Sequence, residues 1–280
     1  MLNAHPEVAV PSESRFIVEF WDGSDTVDVD GFLRKLAGYR LFSHWQVPIE
    51  AVRTEIGEVG SCRYSDAIAA AYKAFVRAHG KSRWGDKTPR YVEHIPFLAG
   101  LFPGARFVHM VRDGRNVALS YANVPFGPKT VARAARLWAR RVEIGIRDGR
   151  ALAEGRYLEL RYERLIADSE SEIRSLCTFL NLGFDPGMLD HAERARDVVL
   201  DRARKYNPLT TQRPGAGASD WTRAMKPSHV KIFEAVAGDV LDTAGYERRF
   251  PRPGPLALVR GRLGAMGLPI DRIEKKPPEK

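Results

Sequence analysis

Arg106-Phe107-Val108-His109-Met110-Val111-Arg112-Asp113-Gly114 is the stretch on which the fold turns. It is a short, largely apolar run. Pro103-Gly104 makes a turn before it, and Asp113-Gly114 closes it. Apolar residues on both faces suit a strand buried in a parallel sheet. The residues before it, 90–102, read as a helix, and Asn116–Tyr121 reads as another. Working outward, helical patterns occupy 29–40, 48–57, 63–79, 129–153, 169–180, 185–198 and 227–243. A second short strand lies at 156–160 and runs into a loop at 161–163. The stretch 11–16 reads as extended, and 205–220, rich in Asn, Pro, Thr, Gly and Ser, reads as a loop. Strands alternating with helices predict an α/β fold built on a parallel sheet. The expected organisation is one domain over 1–250 and a Pro/Gly-rich, charged tail over 251–280.

A chain of 280 residues is long enough for one sizeable α/β domain. Its 44% hydrophobic and 28% charged residues exclude a disordered chain. Cys62 and Cys177 form neither a CxxC nor a Cys/His spacing, which argues against structural zinc and a disulfide scaffold. No apolar run reaches 18 residues and no basic-then-apolar leader opens the sequence, so a cytoplasmic protein without a membrane span is expected. The net charge of +9 suits nucleic acid, an anionic membrane face or a phosphate-bearing ligand. Arg133, Arg136, Arg140 and Arg141 are scattered along one helix and read as a solvated basic face. No nucleic-acid motif accompanies the charge, so no nucleic-acid partner is expected.

Three constellations carry chemistry. A strand ending at Arg112 puts a guanidinium at the carboxyl edge of the sheet, where α/β folds bind ligands. Ser120, eight residues on, could donate to the same phosphate that Arg112 grips with its fork. An Arg112–Asp113 ion pair beside an ordinary helical serine fits the spacing equally well. In Trp84-Gly85-Asp86-Lys87-Thr88-Pro89 a loop enters a helix and sets Lys87 near the helix N-terminus. A cation is misplaced against the dipole there unless it serves an anionic ligand; a plain surface lysine is the alternative. Pro11-Ser12-Glu13-Ser14-Arg15 holds a loop carboxylate that is either a general base or simply solvated.

Taken together these segments resemble the PAPS-dependent sulfotransferases (PAPS is 3′-phosphoadenosine-5′-phosphosulfate), in particular the tyrosylprotein sulfotransferase type and its bacterial relatives. Leu2-Asn3-Ala4-His5-Pro6-Glu7-Val8 and Glu13-Ser14-Arg15 are similar to the segment that follows that family's phosphosulfate loop. Trp84–Pro89 is similar to its lysine-bearing loop, and Phe102–Arg115 through Ser120 to its 3′-phosphate-binding strand and helix. Arg161-Tyr162-Glu163-Arg164-Leu165 is similar to its Tyr-Glu-x-Leu segment. Ser219-x-Trp221 and Gly245-Tyr246 are similar to its C-terminal end. The likeness runs in order over about residues 2–247.

The resemblance implies a P-loop-NTPase-like parallel sheet flanked by helices, and transfer of a sulfonate from PAPS to a small-molecule or protein hydroxyl acceptor. It assigns Glu13 as general base, with Lys87 and Ser219 stabilising charge on the transferring group. Arg112 and Ser120 would hold the 3′-phosphate, and Tyr162 would lie near the adenosine-phosphate side. PAPS is the co-substrate and no metal is required. His5 is the rival base, although its place at a helix end is explained by capping.

One departure sets this chain apart. The family opens with a strand and a Gly-x-Pro-Arg-Ser-Gly-Thr-Thr-like loop around the 5′-phosphosulfate, and both are missing here, so that Met1–His5 reads as the end of a helix. The expectation is a protein that starts upstream of Met1. An inactive sulfotransferase remnant that binds 3′-phosphoadenosine nucleotides weakly is the main alternative. A nucleotide kinase is a lesser one, since no phosphate loop or magnesium-binding carboxylates are evident.

Overall fold

The expected strand is β5 (Phe107–Val111) in a computed structural model that describes residues 1–122, 124–190 and 220–273. β5 pairs in parallel with β6 (Tyr157–Arg161), from Phe107 opposite Tyr157 to Val111 opposite Arg161. Its burial is lower than its apolar sequence predicts. Val111 is buried, whereas Met110 is exposed, because the sheet has two strands among the described residues. The α/β class stands. Among the described residues the parallel pairing comes in two-stranded pieces.

The described residues divide into two units, 1–105 with 173–190, and 106–172 with 220–273; the division falls inside the helix Ser169–Leu180.

In the first unit β1 (Val8–Ala9) runs parallel to β4 (Arg83–Trp84). Between them in sequence come α1 (Phe16–Glu19), β2 (Thr26–Asp28), α2 (Val29–Ala37), α3 (Arg40–Ser43), α4 (Ile49–Ile56), β3 (Ser61–Arg63) and α5 (Tyr64–Ala78). β2 and β3 form an antiparallel pair. α5 buries a face of small and aromatic residues, Ala67, Ala71, Tyr72 and Phe75, whose spacing repeats at helical period. Phe16 lies within ring-contact distance of Phe42, Trp45 and Tyr72, and Trp84 stacks on Tyr72 at 4.4 Å. Strands of two or three residues are too short to show alternation, which is why the four in this unit were not legible in the sequence. The helix expected at 90–102 is a 3₁₀ turn, Pro89–His94, followed by α6 (Ile95–Leu101). Pro96 lacks an amide hydrogen and is tolerated in a first turn, so a new helix starts there.

In the second unit α7 (Gly114–Ser120) follows β5 directly, and Asp113 caps it by accepting from Arg115 N. α8 (Val131–Arg150) turns Val131, Ala135, Trp138, Val142 and Ile146 inward at three- and four-residue spacing. α9 (Tyr162–Ala167) begins where a loop is expected at 161–163, and α10 (Ser169–Leu180) follows it. After Asp220 come α11 (Trp221–Ala224), α12 (Pro227–Thr243) and α13 (Pro255–Ala265). α12 and α13 pack on α8, with Trp138 against Phe233 at the centre. Gly114 sits where a Cβ would fall 2.4 Å from Trp138 and 2.5 Å from Phe233, so the turn after β5 admits no side chain at that position.

Of the helix expected at 185–198, the described part holds a 3₁₀ turn at Pro186–Met188; the rest, and nearly all of the 205–220 loop, lie outside the described residues.

Candidate active site

Two loops of the first unit meet at their charged residues. Glu13 precedes α1 and Lys87 follows β4, 74 residues apart in sequence, and Lys87 Nζ donates to Glu13 Oε1 at 2.5 Å. Both side chains are largely open to solvent, 45% for Glu13 and 66% for Lys87. The neighbouring residues fix the loops. Thr88 Oγ1 donates to Ser14 O at 2.6 Å and accepts from Ser14 N at 3.2 Å, a reciprocal clamp one residue along from the ion pair on each side. Beneath it, Asp86 Oδ2 accepts from Tyr72 Oη at 2.7 Å and from Ser14 Oγ at 3.2 Å. Burial pushes the Asp86 carboxyl and the Tyr72 phenol above their ordinary pKa values. Asp86 Oδ1 is buried without a hydrogen-bond partner among the described residues.

His5 is a different case. Its Nε2 lies 2.8 Å from Gly183 O and its Nδ1 accepts from Glu7 N at 3.1 Å, in a buried position. Both ring nitrogens serve the backbone, so the imidazole is committed to holding the chain. Lys81 does similar work, donating to the carbonyls of Asn3, His5 and Val8.

The second unit brings Arg112 and Tyr162 together. The guanidinium carbon of Arg112 lies 4.6 Å from the centre of the Tyr162 ring. Arg112 Nε is buried and has no hydrogen-bond partner among the described residues. An orphaned buried donor on a cation fits an anionic oxygen such as that of a phosphate. The Arg112–Asp113 ion pair does not form. Asp113 instead accepts from Arg115 Nε at 3.0 Å and Nη2 at 2.8 Å. The backbone around Arg112 is held on both sides, by Trp138 Nε1 donating to Arg112 O at 2.9 Å and Asp113 N donating to Glu163 Oε1 at 2.9 Å. Glu163 Oε2 accepts from Tyr246 Oη at 2.8 Å, so three segments far apart in sequence meet at this turn. Ser120 ends α7, and its hydroxyl donates to Val117 O at 2.7 Å. In that rotamer it can accept but not donate, and binding a phosphate requires it to turn. Ser219 lies outside the described residues.

The sequence reading missed Arg115. It is fully buried, ties Asp113 to Glu234 Oε1 at 2.7 Å, and lies over the Trp221 ring at 3.7 Å. A signal for it exists: Glu234 sits in an apolar helical run, Ile232-Phe233-Glu234-Ala235-Val236, and a carboxylate so placed demands a buried cation.

In the second unit, an arginine just past a parallel strand keeps a buried Nε with no hydrogen-bond partner among the described residues; in the first, an exposed carboxylate–ammonium pair joins two loops. Each is a feature that suits an anionic ligand. The family model described as the sulfotransferase family matches residues 1–186, and the chain belongs to that family. Similar proteins include a protein-tyrosine sulfotransferase of Drosophila melanogaster, 25% identical over 88% of this chain and 48% of its own length. Another is protein-tyrosine sulfotransferase 1 of Danio rerio, 26% identical over 99% of this chain and 75% of its own. The chain thus spans about half the length of the fly protein. Among solved structures, the sulfotransferase domain from the Synechococcus PCC 7002 olefin synthase superposes with a TM-score of 0.58 at 19% identity, covering 88% of each chain. The sulfotransferase domain from the curacin biosynthetic pathway gives 0.53 at 14% identity, covering 88% of this chain and 91% of its own. At these identities the structural likeness establishes the fold. The family match and the shared fold agree with each other.

Proposed function

We propose that the chain transfers a sulfonate from PAPS to a hydroxyl, with Glu13 and Lys87 as its reacting pair. The observation that carries this reading is the 2.5 Å contact between a carboxylate and an ammonium from two clamped loops. PAPS supplies an activated sulfonate with a phosphate leaving group. Glu13 Oε1 takes the proton from the acceptor hydroxyl, while Lys87 turns from Glu13 toward the negative charge that builds up. An exposed ion pair is worth only about 0–1 kcal/mol, so the exchange of partners costs Lys87 little. Arg112 offers its free Nε to the 3′-phosphate and Tyr162 keeps the guanidinium in place, with Ser120 joining once its hydroxyl turns.

The relatives named protein-tyrosine sulfotransferases favour a tyrosine phenol of a protein as the acceptor. Release of 3′,5′-adenosine diphosphate from PAPS in the presence of a tyrosine-containing peptide tests the reading. Glu13→Gln should lower turnover about 10²–10⁴-fold, with the melting temperature and nucleotide affinity kept. A mild effect at Glu13 beside a large one for a folded His5→Ala variant would overturn the choice of base. Sulfonation of a sugar hydroxyl but not of the peptide would overturn the acceptor.

A further inference from the structure

Helix α13 is packed the wrong way round for a core helix. Ala257, Gly261 and Gly264, spaced four and three residues apart, are its buried face. A Cβ on Gly261 would lie 2.9 Å from Val236, and one on Gly264 would lie 2.7 Å from Ala132, so the helix is drawn tightly onto α12 and α8 through its smallest residues. Its large apolar residues point outward. Leu256, Val259, Leu263 and Met266 recur at three- and four-residue spacing and form one stripe on the outer side, with Leu256 69% and Met266 79% exposed. Of nine exposed large hydrophobic residues among those described, six fall between 256 and 268, so this is a concentrated patch and not the usual scatter. The helix is also firmly anchored. Arg136 Nη1 donates to Ala265 O at 3.0 Å, and the chain beyond α13 pairs with residues 129–131 through Val131 N to Asp271 O and Ile273 N to Lys129 O.

The sequence that carries the patch is basic. Between Glu247 and Asp271 the sequence has five arginines and no carboxylate. Arg248 and Arg260 are paired with Asp242 and Asp271, while Arg252 and Arg262 are exposed and make no ion pair among the described residues. Beside the end of α13 opens a groove of about 620 Å³ whose lining includes Lys129, Thr130, Arg133, Gly267 and Arg272. Arg133 and Arg272 are exposed, and Thr130 Oγ1 is buried with no hydrogen-bond partner among the described residues. Phe126, one residue before the groove's Gly127, is 61% exposed.

We propose that this face seats on an anionic lipid bilayer, with the outer stripe of α13 in the interface and Arg252, Arg262, Arg133 and Arg272 on the headgroups. Apolar insertion and a basic rim are the two signals that peripheral attachment requires, since either alone holds weakly. α13 is far too short to cross a bilayer, and no described helix is long and apolar enough to do so. A second copy of the chain is the poorer occupant. A symmetric pairing of two such faces would bring the same unpaired arginines of both copies into one interface, where like charges repel.

Co-sedimentation of the full chain with phosphatidylcholine vesicles, with and without phosphatidylserine, tests this. The chain should bind the vesicles containing phosphatidylserine, bind plain phosphatidylcholine far less, and lose binding as salt is raised. Leu263→Ser with Met266→Ser, both outside the core, should weaken vesicle binding about tenfold or more at an unchanged melting temperature. Arg252→Glu with Arg262→Glu should do the same on the anionic vesicles alone. Absence of binding to anionic vesicles overturns the proposal, as does binding that both double variants leave intact. A concentration-dependent dimer that the Leu263/Met266 variant dissolves, with no vesicle binding, would assign the face to a second copy instead.

Discussion

The molecule uses an arginine or lysine against a carboxylate in two regions, under opposite physical conditions. In the second unit Arg115 is sealed between Asp113 and Glu234, with side chains 2%, 7% and 0% exposed. Glu234 also accepts from the amides of Arg249 and Phe250, so each carboxylate oxygen and each guanidinium nitrogen of the network has a partner. In the first unit the Lys87–Glu13 pair lies open to solvent, and neither side chain bonds to a third residue among those described. A buried network of this kind is rigid because desolvation makes every lost partner expensive. An exposed pair can exchange partners at little cost. The first arrangement can fix the turn that presents Arg112; the second can take part in a reaction. Pairs of the same charges therefore hold the architecture in one place and stay free to exchange partners in the other, and burial tells them apart.

The largest effect should come from breaking the sealed network. Glu234→Ala leaves the Arg115 charge buried with half its partners gone and should destabilise the chain by about 3–5 kcal/mol. Urea unfolding followed by circular dichroism measures it; a loss within 1 kcal/mol would mean that water reaches Arg115 and that the contrast between the regions is false. Next in size is Arg112→Ala. It should weaken binding of 3′,5′-adenosine diphosphate by about 1.5–3 kcal/mol, the scale of a charge-assisted hydrogen bond, with the unfolding midpoint almost unmoved. Calorimetry decides this, and unchanged affinity would remove Arg112 from the ligand site.

Asp86 sits between the two extremes, a buried carboxyl directly beneath an exposed pair. Burial raises its pKa above the ordinary 3.8, so the fold favours its protonated form. The stability it contributes is complete below that ordinary value and is lost as pH rises through the higher folded value. Asp86→Asn keeps the shape and removes the titration. The melting temperature of the wild type should therefore fall relative to the variant as pH rises from about 3.8 toward neutrality. A difference that moves the other way would show that Tyr72 and Ser14 stabilise the ionised form more than burial penalises it.

The sequence made some of this legible and concealed the rest for physical reasons. β5, α7 and α12 could be read because an apolar run between turn residues, or a long helical period, is a local property. The Glu13 and Lys87 loops stood out as loops, but only the resemblance gave them roles, since a solvated carboxylate and a surface lysine leave no periodic trace. The Ser14–Thr88 clamp and the freedom of Arg112 were out of reach. The clamp depends on Thr88 arriving from 74 residues away, and Arg112 is left without Asp113 because Arg115, itself anchored by the distant Glu234, takes that carboxylate. The small residues of α13 were legible as letters but not as a face, because Pro251, Pro253 and Gly254 suggested a tail. Gly254 and Pro255 instead begin a helix, a placement that proline in a first turn favours.

The smallest expected effect sharpens the comparison most. In a double-mutant cycle on unfolding, Glu13→Ala and Lys87→Ala should couple by about 0.2–1 kcal/mol, the range for exposed pairs. Their 2.5 Å contact would by itself suggest more, but solvent screens both groups and each long side chain loses rotamer freedom by holding one geometry. A weak coupling is also what the proposed chemistry requires. If Lys87 leaves Glu13 for the transferring sulfonate at each turnover, the energy that holds the resting pair adds directly to the barrier, and each 1.36 kcal/mol there slows the reaction tenfold. A coupling above about 2 kcal/mol would lie outside the range for exposed pairs and would mean that the pair is effectively buried and structural. Glu13 would then resemble Glu234 rather than a base, and turnover in Lys87→Ala should rise or hold as its partner is freed. A coupling within the expected range, with turnover lost in both single variants, leaves a pair that contributes little to folding and is needed for the reaction.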